Sequence, residues 1–424
     1  MKNLCSAKFG AGWGRLARQT LFIFLLLILT AFPGLPADSP SSGYESLRLF
    51  TEALYEISQK YVYPKSDEEL LNGSLRGIMN SLDPDSSFLT AKEYQLLTHG
   101  QNQKSAEAGV ELIVKDNLLT MVSVLDGGPA AAAGLKPGDH VLKIDGQLIR
   151  NLTTQEAIQK FRGASGANLK LQVMRNGALK PMDITVILQP LAPGTVNSQV
   201  ISDSFAYVRL SYFNDDTPKE LEKTLKSLEK QRPPMRGLIL DLRNNARGSM
   251  EQAVRSASVL LGDKEIVSAK GRTPGSQETF RGKERDLALK IPVPAVVLVD
   301  QGTARAAEIV AAAMRDQYQA TLLGAKTLGL CGLTKILPLQ DGSALMMTVA
   351  QCYTPGGQKI QGKGLEPGVQ GQTPKSKDKD KGPSAAAPPK SLTPEQDPWV
   401  LQAVEFLKSG KKGQIALKAS APKL

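Results

Sequence analysis

Residues 200–370 alternate buried-type strands with helices, and this pattern sets the tightest limit on what the chain can fold into. Segments 237–242 and 293–299 are short, continuous runs rich in Leu, Ile and Val, as expected of strands covered on both faces. Residues 250–261 and 306–315 follow them with helical spacing, and 205–210 with 218–230 form an earlier strand–helix pair. Shorter strands are predicted at 321–323, 336–339 and 345–350. Strands and helices in this order must pack in layers, so the fold class is α+β or mixed α/β.

Residues 105–190 read as a separate compact module. Strands at 111–114 and 118–124 flank a turn at 115–117. A short helix at 130–133 stops at Gly134, and a strand at 141–144 precedes the turn Asp145-Gly146. Thr153 with Glu156 three residues later forms a capping box for a helix over 154–161. Strands at 169–174 and 182–188 close around Asn176-Gly177. Upstream, 44–104 reads as a helical region, with Leu47, Phe50, Ala53, Leu54 and Ile57 at helical spacing and a turn at 83–87.

The ends have different characters. Lys2, Lys8, Arg15 and Arg18 precede an apolar run of about a dozen residues, too short for an ordinary spanning helix. Pro33 and Gly34 break the run. Residues 1–37 therefore read as an export signal; a cleaved signal and an uncleaved anchor are both compatible with it. The expected address is outside the cytoplasm, with no later span. Residues 373–398, rich in Lys, Asp, Pro, Ala and Ser, read as a disordered linker. A last helix at 399–410 is expected to dock through Trp399, Leu401, Val404 and Leu407.

Composition excludes several functions. The net charge is +11, but the excess is scattered through the signal and the linker, without an aromatic-rich basic patch, so nucleic acid is not an expected partner. The only histidines are His99 and His140, and no CxxC pair occurs, so neither a metal site nor a cofactor is expected. Cys331 and Cys352 remain after Cys5 of the signal. An oxidising compartment permits their pairing, and spacing alone leaves a disulfide and two buried thiols both open.

The module at 105–190 resembles a PDZ domain of the bacterial protease type. The resemblance rests on Gly128-Pro129-Ala130, 133–139 (Ala-Gly-Leu-Lys-Pro-Gly-Asp), Ile144-Asp145-Gly146 and 162–166 (Arg-Gly-Ala-Ser-Gly). It implies a strand edge that accepts an extended peptide, over Ala108, Gly109, Val110, Glu111 and Leu112, with loop amides at 108–110 holding the terminal carboxylate. The loop departs from the glycine-rich pattern, and Glu107 is unfavourable beside an incoming carboxylate if it points inward.

Residues 45–410 as a whole resemble the carboxy-terminal processing peptidases, or tail-specific serine–lysine proteases. The carriers are Ser81-Leu82-Asp83-Pro84, Tyr207-Val208-Arg209-Leu210, 241–245 (Asp-Leu-Arg-Asn-Asn), 302–310, Asp341-Gly342-Ser343, Tyr353-Thr354-Pro355 and 360–367. The resemblance implies N-terminal helices, a PDZ domain inserted ahead of a mixed α/β, crotonase-like core at 191–372, and a C-terminal helix. It also implies a serine nucleophile, a desolvated lysine as base, a glutamine that positions the lysine, and a glycine pair near the oxyanion.

Residue by residue, the nucleophile position is Arg305, the base position Leu330 and the base-positioning position Thr334, while the glycine pair reads Arg247-Gly248. An arginine cannot be deprotonated at neutral pH, so it serves as neither nucleophile nor base. The expectation is a homologue, exported to a bacterial periplasm or cell envelope, that does not hydrolyse peptides and binds protein C-terminal tails or unfolded peptides as an adaptor or regulator, with an active paralogous protease as a candidate partner. Two alternatives stand beside it. One is a working endopeptidase with a relocated nucleophile, either Thr303 with Lys326 or Cys331 as a thiolate. The other is an envelope structural or assembly protein.

Overall fold

A computed structural model of the chain describes residues 41–99, 106–115, 118–149, 152–191, 194–202, 204–273, 275–284, 287–289, 292–372 and 393–410. The expected signal, residues 100–104 of the expected helical region, residue 105 at the start of the compact module and linker residues 373–392 lie outside them. The chain divides into two compact units, 1–71 and 72–424. In the first, the helix Ser41–Lys60 carries Leu47, Phe50 and Ile57 at the anticipated spacing, all exposed. No described helix is long and apolar enough to cross a membrane.

The second unit is built on a six-stranded sheet in the order Val196–Ile201, Phe205–Leu210, Gly237–Asp241, Ala295–Val299, Thr321–Gly324, Val369–Gln370. The first pair is antiparallel and the rest are parallel. Side chains on successive strand residues face opposite ways, and both faces are covered. Leu238 and Leu240 join the cluster formed by the helices Thr217–Glu229, Met250–Leu261 and Ala306–Gln317. Ile239 faces the other way, onto Val400, Ala403 and Val404 of the helix Pro398–Ser409. Each such buried aliphatic side chain contributes roughly 1.5–3 kcal/mol of transfer free energy.

A second, antiparallel sheet joins Ser87–Leu89, Ala344–Tyr353, Glu265–Gly271 and Gln277–Arg281, with Gly332–Pro338 paired to Ala344–Tyr353. The inserted module folds round Val110–Lys115, Leu118–Val124, His140–Ile144, Asn168–Met174 and Met182–Ile187. Its helix Thr154–Lys160 has the capping box anticipated from Thr153 and Glu156. Buried Asp139 takes a two-pronged pair from Arg175, at 2.7 Å to each oxygen.

Four departures from the sequence reading have local causes. Strands Val196–Ile201, Glu265–Gly271 and Gln277–Arg281 carry polar residues on solvent-facing positions, which masks their alternation. Ser87–Leu89, read as the end of a turn, extends because Ala344–Met346 supplies a partner strand. Residues 393–398, assigned to the linker, are ordered by a 3₁₀ turn at Pro394–Gln396, and Asp397 caps the last helix through the amides of Trp399 and Val400. On that helix Leu401 points outward, 44% exposed, and Val400 takes the inward position.

Candidate functional site

The strand Ala295–Val299 ends in a tight turn that delivers Arg305 to the start of the helix Ala306–Gln317. The Asp300 carboxylate accepts the amides of Asn244 at 2.8 Å and Gly302 at 3.0 Å. Thr303 is fully buried, and its hydroxyl donates to the Leu242 carbonyl at 2.9 Å. Arg305 then adopts φ 52°, ψ −117°, in the left-handed half of backbone space that costs a non-glycine residue about 1–3 kcal/mol. Its amide donates to the Leu330 carbonyl at 2.8 Å.

The Arg305 guanidinium turns back beneath this elbow. Nη2 lies 2.7 Å from Asp85 Oδ1, Nη1 donates to the Ala246 carbonyl at 3.2 Å, and Glu111 Oε2 is 3.7 Å away. Burial disfavours the cation, but Asp85 and Glu111 outweigh it and keep its pKa above the ordinary arginine value. A guanidinium in this setting has no proton-accepting form.

The loop after Thr321–Gly324 brings Leu330 to the same place. Buried Glu308 organises it, accepting the Gly329 amide at 2.7 Å, the Leu330 amide at 2.9 Å and the Thr327 hydroxyl. Burial pushes the Glu308 carboxyl up to about 7, against the pull of these three donors. The Leu330 side chain joins Ile113, Val122, Ala246 and Ala304 in an apolar cluster. Ile113 and Val122 belong to the PDZ-like module, so this cluster seals its sheet against the elbow. Thr334 is exposed on the strand Gly332–Pro338, opposite Thr348. The structure thus joins two of the three positions through a backbone hydrogen bond and sets the third on an outer strand.

The candidates for relocated chemistry are engaged elsewhere. Thr303 is committed to Leu242, and Lys326 Nζ pairs with Glu366 at 2.6 Å. Cys331 forms a disulfide with Cys352, Cα atoms 5.5 Å apart. Ser343 donates to Asp341 at 2.6 Å within its turn. Among the described residues no group of three or more His, Cys, Asp or Glu is placed to hold a metal ion.

The Arg247-Gly248 pair has split its work. Gly248 sits at φ 133°, where a Cβ would come within 2.5 Å of the Phe213 Cβ, so the tight loop persists. Arg247 instead spans to the PDZ-like module. Its Nη1 and Nη2 meet the two oxygens of Glu107 at 2.8 and 2.9 Å, and Nε meets Glu111 at 2.6 Å. Burial works against both ions, yet the pairing raises the pKa of Arg247 and lowers that of Glu107. Glu107 therefore points at Arg247 and Arg162, the latter 3.5 Å away.

Residues to which the sequence reading gave no role at the site complete the contact. Asn244 Oδ1 accepts the Val124 amide at 2.9 Å while its Nδ2 donates to the Val124 carbonyl, imitating a neighbouring strand. Arg209 bridges Asp126 at 2.6 Å and buried Asp241 at 3.1 Å. Of the expected peptide-binding residues, Gly109, Val110 and Glu111 line a small cleft shared with Tyr212, Asn244 and Arg247. The Ala108 amide, expected to face a ligand, donates to the Phe161 carbonyl at 3.0 Å. Leu112 is buried in the module's own core. No sequence signal marks these ion pairs, because the partners lie far apart in the chain, 136 positions for Arg247 and Glu111 and 220 for Arg305 and Asp85.

Comparison with known proteins places this geometry. Residues 204–370 match the family described as Peptidase family S41, and residues 107–186 match the PDZ domain. The carboxy-terminal-processing protease of Bartonella bacilliformis is 32% identical over 351 residues, covering 82% of this chain and 80% of that protein. The carboxy-terminal processing protease CtpA of Bacillus subtilis is 31% identical over 372 residues, covering 84% and 78%. Among solved structures, the photosystem II D1 C-terminal processing protease superposes with a TM-score of 0.64 at 23% identity, over 76% of this chain and 92% of that one. That similarity shows a shared mixed α/β fold.

Proposed function

Because this chain belongs to peptidase family S41, we propose that it is a non-hydrolysing member, exported from the cytoplasm, that binds peptide C-termini through its PDZ domain as an adaptor or regulator. The observation that carries the reading is the ion-paired guanidinium of Arg305 on the elbow, with the apolar side chain of Leu330 beside it. Serine-type peptide hydrolysis needs a hydroxyl and a proton acceptor within hydrogen-bond reach. Neither side chain offers one: the guanidinium is paired with Asp85, and the Leu330 side chain lies in an apolar cluster. The disulfide and the N-terminal charged-then-apolar segment favour an oxidising, extracytoplasmic address.

The test uses purified protein with an unstructured substrate and a hydroxyl- or thiol-reactive probe. No turnover above a blank and no probe adduct are expected. Robust cleavage that is lost in Thr303→Ala or Cys331→Ala sinks this reading and restores the endopeptidase. Binding of tail peptides separates an adaptor from a purely structural role.

A further inference from the structure

We infer that Arg247 is the carboxylate receptor of the PDZ cleft, and that Glu107 and Glu111 occupy it as internal stand-ins for the terminal carboxylate of a peptide. This rests on the tail-binding reading above and names its receptor group. The PDZ loop is short of donors for an anion: the Ala108 amide is spent on Phe161, and the residue before it is an acid. The missing donors come from the core. Arg247 lines the same small cleft as Gly109 and Val110, which sets its guanidinium beside the loop.

The present occupant shows what that guanidinium accepts. Glu107 lies fork to fork on Nη1 and Nη2 at 2.8 and 2.9 Å, the arrangement that gives arginine its planar, two-bond recognition of carboxylates. A peptide terminus presents the same planar anion. It can take the place of Glu107 without any change in the guanidinium, which stays over the Tyr212 ring, 6.0 Å from its centroid. The displaced Glu107 keeps a partner in Arg162. The Arg247 side chain is 25% exposed, so the exchange needs no unfolding. The ligand class is an extended peptide with a free α-carboxylate. Acidic side chains near its end are disfavoured, since Glu107 and Glu111 remain close by.

The test is fluorescence anisotropy on the full chain with a labelled peptide ending in a free carboxylate and with its amidated twin. Charge-assisted hydrogen bonds predict a preference for the acid of about tenfold or more. Arg247→Ala is expected to bring the acid-to-amide ratio to near one, Arg247→Lys to retain part of it, and Glu107→Gln to tighten binding of the acid. Arg209→Ala, which loosens the module at Asp126 and leaves Arg247 intact, is expected to keep the ratio. The assignment is overturned if Arg247→Ala keeps the ratio, or if Arg209→Ala abolishes it equally. A wild type that binds acid and amide alike overturns the carboxylate receptor and leaves peptide binding standing. If neither wild type nor Glu107→Gln binds any peptide, the tail-binding reading itself fails. Binding seen only in Glu107→Gln supports the stand-in role.

Discussion

The Arg305 amide donates to the Leu330 carbonyl at 2.8 Å, so the elbow and the facing loop are fastened through their backbones, independently of their side chains. Side chains at these two positions can change without separating the segments that carry them. Each can therefore be probed by substitution.

At position 305 backbone strain and ion pairing oppose each other. Arg305→Ala removes the partner of Asp85 and keeps the strained φ, whereas Arg305→Gly removes the partner and relieves the strain. Both variants are expected to be less stable than wild type, by roughly 2–4 kcal/mol for the alanine variant. The glycine variant is expected to be about 1 kcal/mol more stable than the alanine variant. Urea denaturation of the three proteins decides it; an alanine variant as stable as the glycine variant contradicts the strain.

Leu330 fills a cluster contributed partly by the core and partly by the PDZ domain. Leu330→Ala leaves a cavity there and should cost about 2–4 kcal/mol. It should also raise amide exchange at Ile113 and Val122 more than at residues 238–240. Uniform acceleration across both regions would place the effect in global stability alone.

Glu111 touches Arg247 at 2.6 Å and Arg305 at 3.7 Å. Residues that share a partner do not act additively. The double variant Arg247→Ala/Arg305→Ala should lose more than the sum of the singles, because either arginine alone still neutralises Glu111, with a coupling of about 0.5–1.5 kcal/mol. A double-mutant cycle that closes to zero removes Glu111 as the link.

Glu308 gives a pH dependence of defined sign. Its folded pKa, about 7, lies above the ordinary carboxyl value. The unfolded chain therefore loses this proton first as pH rises. Its contribution to stability falls between about pH 4.5 and pH 7 and is flat above, with a total of up to about 3 kcal/mol. Glu308→Gln cannot titrate, so the difference between wild type and variant should shift by that amount between pH 5 and pH 8. Parallel stability profiles for the two proteins would rule it out.

The sequence made the layered fold legible where burial is continuous. Residues 237–242 and 293–299 read as strands because they are apolar on both faces, and the structure covers both faces. It hid the strands 265–271 and 277–281, because a half-exposed strand with lysine, glutamate and serine alternates too weakly to stand out. The helix phase at Leu401 was lost for a related reason: Val400 and Leu401 are equally apolar, and only the position of the sheet chooses between them. At the site, the residue types at 305, 330 and 334 were visible, but their partners were not. Asp85 reaches Arg305 across 220 positions of chain, and Asn244 meets Val124 across 120. Such pairs are products of tertiary packing and leave no local pattern.

The pairing of Arg305 with Asp85 and Glu111 also bears on engineering. Replacing the arginine by a small hydroxyl residue would leave two mostly covered carboxylates without their counter-ion, so the replacement carries a penalty before any new activity can appear. On the reading proposed above, installing hydrolysis also calls for changes at residues 85 and 111 and for a base in place of the packed Leu330. The residues that accommodate Arg305 thus penalise its replacement by any uncharged side chain.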